Sequence, residues 1–277
     1  MLEWLTELLS YTFIVRALIV GILVALCAAL LGVSLVLKRY SMIGDGLSHV
    51  GFGALSVSLA LGVAPLEVSL PVVAVTAFLL MRLGENSMIK GDAAIAIISS
   101  SAIAIGIIVV SLTTGMNVDV YNYMFGSILA MSGSDVILSS LVSVAVLVLY
   151  VLFYNKIFAV TFDESFAKAT GTRAGHYNML IAMLTALIIV VGMRMMGAML
   201  ISSLIIFPAL TSMRVFKSFR SVVISAAVLS VICFIIGIVI SFVWSVPAGA
   251  AVVVVNLTAF CLFFLVRRIK NARVSGI

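Results

Sequence analysis

The stretch YTFIVRALIVGILVALCAALLGVSLVL, residues 11–37, decides the fold of this chain. It carries a single charge, Arg16, and an α-helix needs about 20 apolar residues to cross a bilayer. A cleavable signal peptide is not expected, because Glu3 and Glu7 precede the run, no positively charged segment does, and the run is too long for a signal-peptide core. The stretch therefore predicts a transmembrane helix.

The composition of the whole chain also indicates a membrane protein. Of 277 residues, 64% are apolar and 9% are charged, whereas soluble globular proteins have about 45–50% and about 25%. A soluble fold is excluded, because so few charges cannot cover a water-exposed surface. The net charge of +6 does not indicate a nucleic-acid partner, because most Lys and Arg residues lie near the ends of apolar runs and form no basic patch.

The apolar runs predict an all-α, polytopic membrane helix bundle of about 8–9 transmembrane helices, in a single transmembrane domain over residues 1–277. The sixth and seventh runs are short and meet at Gly192-Met193-Arg194, so a broken helix or re-entrant pair there would reduce nine spans to eight. The nine runs are near residues 11–37, 43–63, 66–82, 93–113, 135–155, 179–193, 195–212, 221–244 and 247–266.

The basic residues predict the orientation of the bundle. If the spans alternate, fourteen of the sixteen Lys and Arg residues fall on one side, the exceptions being Arg16 and Arg194. The positive-inside rule then places the N-terminus outside and the C-terminus in the cytoplasm of a multi-pass cell-membrane protein. The long outer connection at residues 114–134 is apolar enough in its middle to predict a short interfacial helix.

The inner connection at residues 158–178 predicts a short cytoplasmic helix near 161–171. Thr161 or Asp163 can cap its start, acidic residues occupy its first turn, and Gly171 can end it. One side of this helix can bury against its own bundle or against another protein, and both readings remain open. The side is formed by apolar residues at i, i+4, i+7 spacing, which are Phe162, Phe166 and Ala169.

Two ionisable residues near the start of the second run suggest an ion site. Asp45 and His49 lie at i and i+4, which places both on one face of a helix about 6 Å apart, and this polar stripe also includes Ser41, Ser48, Gly53 and Ser56. A carboxylate oxygen and an imidazole nitrogen suit Zn(II), Mn(II) or Fe(II). Two ligands suit a passage point better than a closed structural site. The alternative is a hydrogen-bonded pair that only rigidifies helix packing.

The remaining polar and sulfur residues predict no catalytic site. The three isolated cysteines are interpreted as small core residues, and the hydroxyls of Ser202 and Ser203 as bonding back to helix carbonyls more often than lining a pathway. No phosphate-binding loop, zinc-protease motif, nucleophile elbow or dinucleotide fingerprint occurs, so the chain is not expected to be an enzyme or to bind a stable cofactor.

Six segments in order along the chain carry a family resemblance. They are RYSMIGDGLSHVGFGA from Arg39, GDAAIAIISSSAIAIGI from Gly91, FGSILAMSGSDV from Phe125, FDESFAKATGT from Phe162, MGAMLISSLIIFPALTS from Met196 and VPAGAAVVVVN from Val246. Together they cover most of the chain and resemble the permease subunits of bacterial metal-ion ABC transporters, the importers of zinc, manganese or iron(II) of the ABC-3 type.

The resemblance implies a type II ABC importer-like permease with separate partners. These partners are a second copy of the permease, cytoplasmic ATP-binding subunits that hydrolyse ATP, and an extracytoplasmic metal-binding protein, all in or at the lipid membrane. It also implies that Asp45 and His49 serve ion passage, and that the cytoplasmic segment is the coupling helix that docks on the ATPase. Its implied coupling residues are Phe162, Asp163, Glu164, Phe166, Ala167 and Gly171.

The transported metal is expected to be zinc, because the likeness is to permeases usually named for zinc. Manganese is the second expectation, and iron(II) remains open, since Asp and His accept all three ions. A secondary transporter of a different class, in which Asp45 and His49 relay protons without an ATPase, is the competing hypothesis.

Overall fold

A computed structural model describes residues 11–86, 91–113, 126 and 133–274. Within these ranges the chain is helical and has no strand. The predicted interfacial helix in the outer connection lies outside the described residues, apart from Gly126. The helices are α1 Thr12–Leu37, α2 Ile43–Ala60, α3 Pro65–Asn86, α4 Gly91–Leu112, α5 Gly133–Leu152, α6 Tyr154–Phe162, α7 Glu164–Ala169, α8 Ala174–Met196, α9 Ala198–Val215, α10 Phe219–Trp244 and α11 Ala248–Val274.

Each of the nine predicted spans corresponds to one long helix. Seven of these helices are long and apolar enough to cross a membrane by length and composition, and the other two are α2 and α3. The eighteen residues of α2 extend about 27 Å at 1.5 Å per residue, which is close to the thickness of the hydrocarbon core. The all-α membrane bundle predicted from the sequence is confirmed.

The centre of the bundle is formed by α1, α8 and α9. In their most apolar windows, 67%, 72% and 61% of residues are buried, against 22% in α4, α5 and α11. Small residues let the central helices approach closely, since a Cβ on Gly32 of α1 would collide with the Ile205 carbonyl of α9. The poorly buried helices present isoleucine, leucine and valine side chains outward, as expected for surfaces that meet lipid.

The break between the sixth and seventh spans falls at Gly197, and not at Gly192-Met193-Arg194 as predicted. Helix α8 continues through Met196, and Gly197 alone separates it from α9, with φ 85° and ψ 160°. A residue with a Cβ rarely adopts this backbone conformation, whereas Gly192 and its neighbours are regular helix. The sixth and seventh runs therefore form two separate helices, α8 and α9.

The end of α8 next to this turn is held by an ion pair. Arg194 Nη2 lies 3.1 Å from Asp135 Oδ1 at the start of α5. Arg194 is one of the two basic residues that the predicted topology places outside, and Asp135 directly follows the predicted outer connection at residues 114–134. The pair is therefore compatible with the predicted orientation.

Candidate metal passage and coupling surface

Asp45 and His49 lie side by side in the first turns of α2. His49 Nε2 is 3.5 Å from Asp45 Oδ2, so the predicted i, i+4 proximity is present. The Asp45 side chain is 41% exposed and the His49 side chain is 19% exposed. Both side chains therefore remain accessible on one open side of a helix whose residues are mostly buried.

The neighbouring serines of the predicted polar stripe point elsewhere. Ser48 Oγ donates to the Asp45 carbonyl at 2.8 Å and Ser56 Oγ donates to the Phe52 carbonyl at 2.9 Å, and both residues are buried. Hydroxyls in membrane helices commonly satisfy themselves in this way. The interpretation of Ser48 and Ser56 as part of the ion-facing stripe is therefore wrong, and the candidate site narrows to Asp45 and His49.

The side of α2 that carries Gly46 and Gly53 is packed closely against neighbouring helices. A Cβ on Gly46 would lie 2.5 Å from Ile95 of α4, and a Cβ on Gly53 would lie 2.7 Å from the Ala102 carbonyl of the same helix. Gly53 is therefore a packing residue rather than part of an ion-facing stripe. These glycines bury one side of α2 against α4, and helices α3 and α9 also pack on α2.

Each chain offers two candidate ligands. The described residues contain no group of three or more His, Cys, Asp or Glu side chains that could hold a metal ion. A carboxylate oxygen and an imidazole nitrogen still suit borderline divalent ions, and an incomplete set allows an ion to leave again. The arrangement is suited to passage.

The other residues considered from sequence have structural roles. Ser202 and Ser203 bond back to the carbonyls of Ala198 and Leu200, as favoured above. Cys27 and Cys233 are buried core residues, but Cys261 is exposed. The interpretation of Cys261 as a core residue is therefore wrong. It lies on α11, one of the poorly buried outer helices.

The cytoplasmic segment forms two helices that meet at Asp163, and not one helix over 161–171. Thr161 and Phe162 end α6, and Asp163 has an extended backbone with φ −148° and ψ 98°. Its side chain caps α7 by accepting from the Phe166 backbone N–H at 2.9 Å. A cap residue must leave helical geometry, so the aspartate that starts α7 also ends α6. Beyond α7, Gly171 adopts φ 81°.

The aromatic residues beside this bend point away from the bundle. Phe162 is 74% exposed and Phe166 is 66% exposed, whereas Ala167 is 1% exposed. Ala167 therefore anchors α7 to the bundle, while the phenylalanines project outward together with Ala169. The alternative in which the Phe162, Phe166 and Ala169 side packs on its own bundle is wrong within this chain.

Glu164 is held inside the chain by three partners. Its Oε2 accepts from Lys38 Nζ at 3.1 Å and from Asn178 Nδ2 at 3.0 Å, and its Oε1 lies 2.8 Å from Lys168 Nζ. Partial burial alone would raise the pKa of Glu164, but the hydrogen bonds from Lys168, Asn178 and Lys38 outweigh this effect and lower the pKa to about 2. Glu164 is therefore a carboxylate throughout the physiological pH range.

Sequence reasoning missed Lys38 and Asn178 as partners of Glu164. Lys38 is 126 positions away, and its place at the end of an apolar run was interpreted only as a topology signal. A local signal existed for Lys168 alone, because it follows Glu164 at i+4.

The chain is similar over nearly its whole length to membrane proteins of bacterial metal-transport systems. The model of the ABC 3 transport family matches residues 10–267. The manganese transport system membrane protein MntC of Halalkalibacterium halodurans is 30% identical over 258 residues, which cover 93% of this chain and 88% of that protein. The high-affinity zinc uptake system membrane protein ZnuB of Haemophilus influenzae is 30% identical over 246 residues, covering 89% and 94% respectively.

A solved structure has the same fold. It is PsaBC from Streptococcus pneumoniae in complex with Fab, in which one chain matches with a TM-score of 0.84 and 29% identity, covering 95% of this chain and 94% of that chain. The resemblance found in the sequence motifs is confirmed, and so is the expectation of a transport subunit that is not itself an enzyme. The chain belongs to the ABC 3 transport family, as a multi-pass metal-transport permease of the bacterial inner membrane.

Proposed function

We propose that the chain forms the ion passage of an ATP-driven importer of divalent metal ions, with zinc as the preferred cargo. The observation that carries this proposal is the Asp45–His49 pair, whose atoms lie 3.5 Å apart on the open side of α2. Ionisable side chains within membrane helices are costly and usually functional. A purely structural pair would be fully buried in the helix contacts, whereas the Asp45 side chain is 41% exposed and the His49 side chain is 19% exposed.

Completion of the site requires a second copy of the chain. Two ligands from each chain give up to four, the number that zinc prefers, only while the open sides of two α2 helices face each other. Separation of the two helices would return each chain to an incomplete set that releases the ion. The ion would then enter between two permeases, delivered by an extracytoplasmic metal-binding protein. Cytoplasmic ATP-binding subunits would drive the alternate opening of the two sides.

Zinc is favoured over manganese by the chemistry of the ligands. A site of nitrogen and oxygen donors binds zinc more tightly than manganese or iron(II) by the usual order of affinities. Manganese is the second candidate, because MntC, at 30% identity over 93% of this chain, is named for manganese transport. Iron(II) is compatible with the same donor set and is the third candidate.

Uptake with competing metals tests this proposal. The permease is reconstituted in vesicles with its ATP-binding and metal-binding partners, and ATP-dependent zinc uptake is measured with manganese or iron(II) as competitor. We expect His49→Ala to abolish uptake, while the control His176→Ala removes the other histidine, which is exposed near the start of α8, and preserves it. Near-normal uptake by His49→Ala would contradict the ligand role. If manganese competes with zinc so strongly that it is taken up in preference, manganese is the cargo. Uptake by the permease without the ATPase would support the proton-relay hypothesis.

The exposed aromatic residues carry the second part of the proposal, which is the contact with the ATPase. Phe162 and Phe166 project from the bend between α6 and α7, and Asp163 holds that bend by capping α7. Ala167 supplies the inner contact, and Gly171 allows the chain to turn towards α8. Large exposed aromatic side chains on a polar face typically mark a protein interface.

A further inference from the structure

One ion pair connects the coupling segment with Lys38, which lies at the end of α1 and begins the short turn before α2, the helix that carries the candidate metal ligands. Lys38 Nζ lies 3.1 Å from Glu164 Oε2, and the Lys38 side chain is only 9% exposed. Lys168 contacts the other carboxylate oxygen but is 59% exposed. Solvent weakens the exposed pair far more than the shielded one. The contact with Lys38 is therefore the stronger link from Glu164 to another part of the chain.

The turn that follows Lys38 has a geometry that could transmit a movement of Lys38 to α2. Arg39 adopts φ 64°, a left-handed conformation that few side chains tolerate. The Tyr40 N–H donates back to the Leu35 carbonyl at 2.9 Å, and the Ile43 N–H donates to the Tyr40 carbonyl at 3.1 Å. Helix α2 then begins at Ile43 and presents Asp45 in its first turn. A short, hydrogen-bonded connection of five residues therefore joins α1 to α2.

The other end of the link lies directly beside the candidate docking residues. Glu164 is the first residue of α7, and Phe166 is two positions further on. The Asn178 side chain, 4% exposed, also holds Glu164 Oε2 from the start of α8. One carboxylate thus contacts the end of α1, the start of α8 and, through Lys168, its own helix.

A polar cavity beside the carboxylate leaves room for rearrangement. Its volume is about 210 Å³, and the buried Thr161 hydroxyl in its wall has no hydrogen-bond partner among the described residues. A close-packed apolar contact would resist displacement, whereas side chains lining this space can change partners. The cavity is lined by Lys38, Tyr40, Met81, Val160, Thr161, Glu164 and Asn178.

We propose that Glu164 is a positioning residue that transmits movement of α7 through Lys38 to the metal-bearing helix α2. This inference rests on the proposed function, because it requires that an ATPase docks beside Phe166. Glu164 would be a relay inside the permease rather than a contact for the partner. This differs from the resemblance, which implies only that Glu164 belongs to the docking segment.

The test measures metal transported per ATP hydrolysed in vesicles that contain the whole complex. When two distant sites are coupled, one typically changes the affinity at the other by a factor of about five or more. We therefore expect Lys38→Gln and Glu164→Gln each to lower the ratio of metal transported to ATP hydrolysed at least about fivefold. Lys168→Gln is the matched control, because it removes a cation from the same carboxylate, and its ratio should stay within about twofold of wild type. Lys38→Arg keeps the positive charge, so its ratio should be close to that of wild type, unlike that of Lys38→Gln.

The double variant Lys38→Gln/Glu164→Gln gives the decisive comparison. If the two residues act as one link, its ratio is no lower than that of either single variant, because effects of interacting residues are not additive. An unchanged ratio in Lys38→Gln, or multiplied losses in the double variant, would overturn the relay. Absence of ATP-dependent uptake by the wild-type complex would instead overturn the proposed function, so the two failures are distinguishable.

Discussion

Replacement of Phe166 by Ala should separate the ATPase from an otherwise intact permease. The side chain is 66% exposed in the isolated chain, and a phenylalanine offers about 200 Å² for burial. Two thirds of that area is about 130 Å², which at about 25 cal/mol per Å² gives an upper limit of about 3 kcal/mol. Because some of this area stays open in any interface, we expect about 2 kcal/mol, or about a thirtyfold loss of affinity.

The assay is recovery of the ATPase with tagged permease after detergent extraction, followed by a titration of ATPase against permease. Trp244→Ala is the matched control, because Trp244 is 69% exposed but lies at the end of α10 that the predicted topology places outside, about 39 Å along the helix from its other end. We expect the control to bind normally. Normal ATPase binding and uptake by Phe166→Ala would show that the bend between α6 and α7 is not the coupling element.

Three further outcomes are expected. Loss of the cap in Asp163→Ala should destabilise α7 by about 1 kcal/mol and weaken ATPase recovery, while Asp163→Asn retains a capping oxygen and preserves recovery. Glu164 has a folded-state pKa of about 2, below its ordinary 4.5. The stability difference between wild type and Glu164→Gln, measured by thermal unfolding, should therefore be constant above about pH 5 and vanish as the pH falls towards about 2. In a Cys261→Ser background, an impermeant maleimide should label Ser245→Cys from outside intact cells but not His176→Cys, and the reverse pattern would contradict the predicted orientation.

The sequence predicts the bundle well because the signal for a membrane helix is contained in each run. A stretch such as residues 11–37 must be helical in a bilayer, since its backbone groups have no other partners there. The proximity of Asp45 and His49 follows equally from helix geometry alone. The predicted break at Gly192-Met193-Arg194 lies a few residues before the actual turn at Gly197, because α8 continues through Arg194, which pairs with Asp135.

The features that the sequence does not predict depend on contacts between distant segments or on choices among local hydrogen bonds. The pairing of Lys38 with Glu164 joins residues 126 positions apart, and no periodicity encodes such a contact. Ser48 can face a pathway or bond back to its own helix, and helical spacing is the same in both cases. Asp163 can sit inside one helix or divide two, and here the extended backbone of its cap decides.

The pairing of charges within the chain supports the assignment of the passage. At the end of α8, Arg194 pairs with Asp135, and beside the coupling segment Lys38 pairs with Glu164. Each of these pairs joins two different helices and can stabilise their packing. Asp45 and His49 belong to the same helix, so their contact ties no two helices together. A pair that joins no two helices and leaves the Asp45 side chain 41% exposed needs another reason to persist, and binding of a passing cation would supply one.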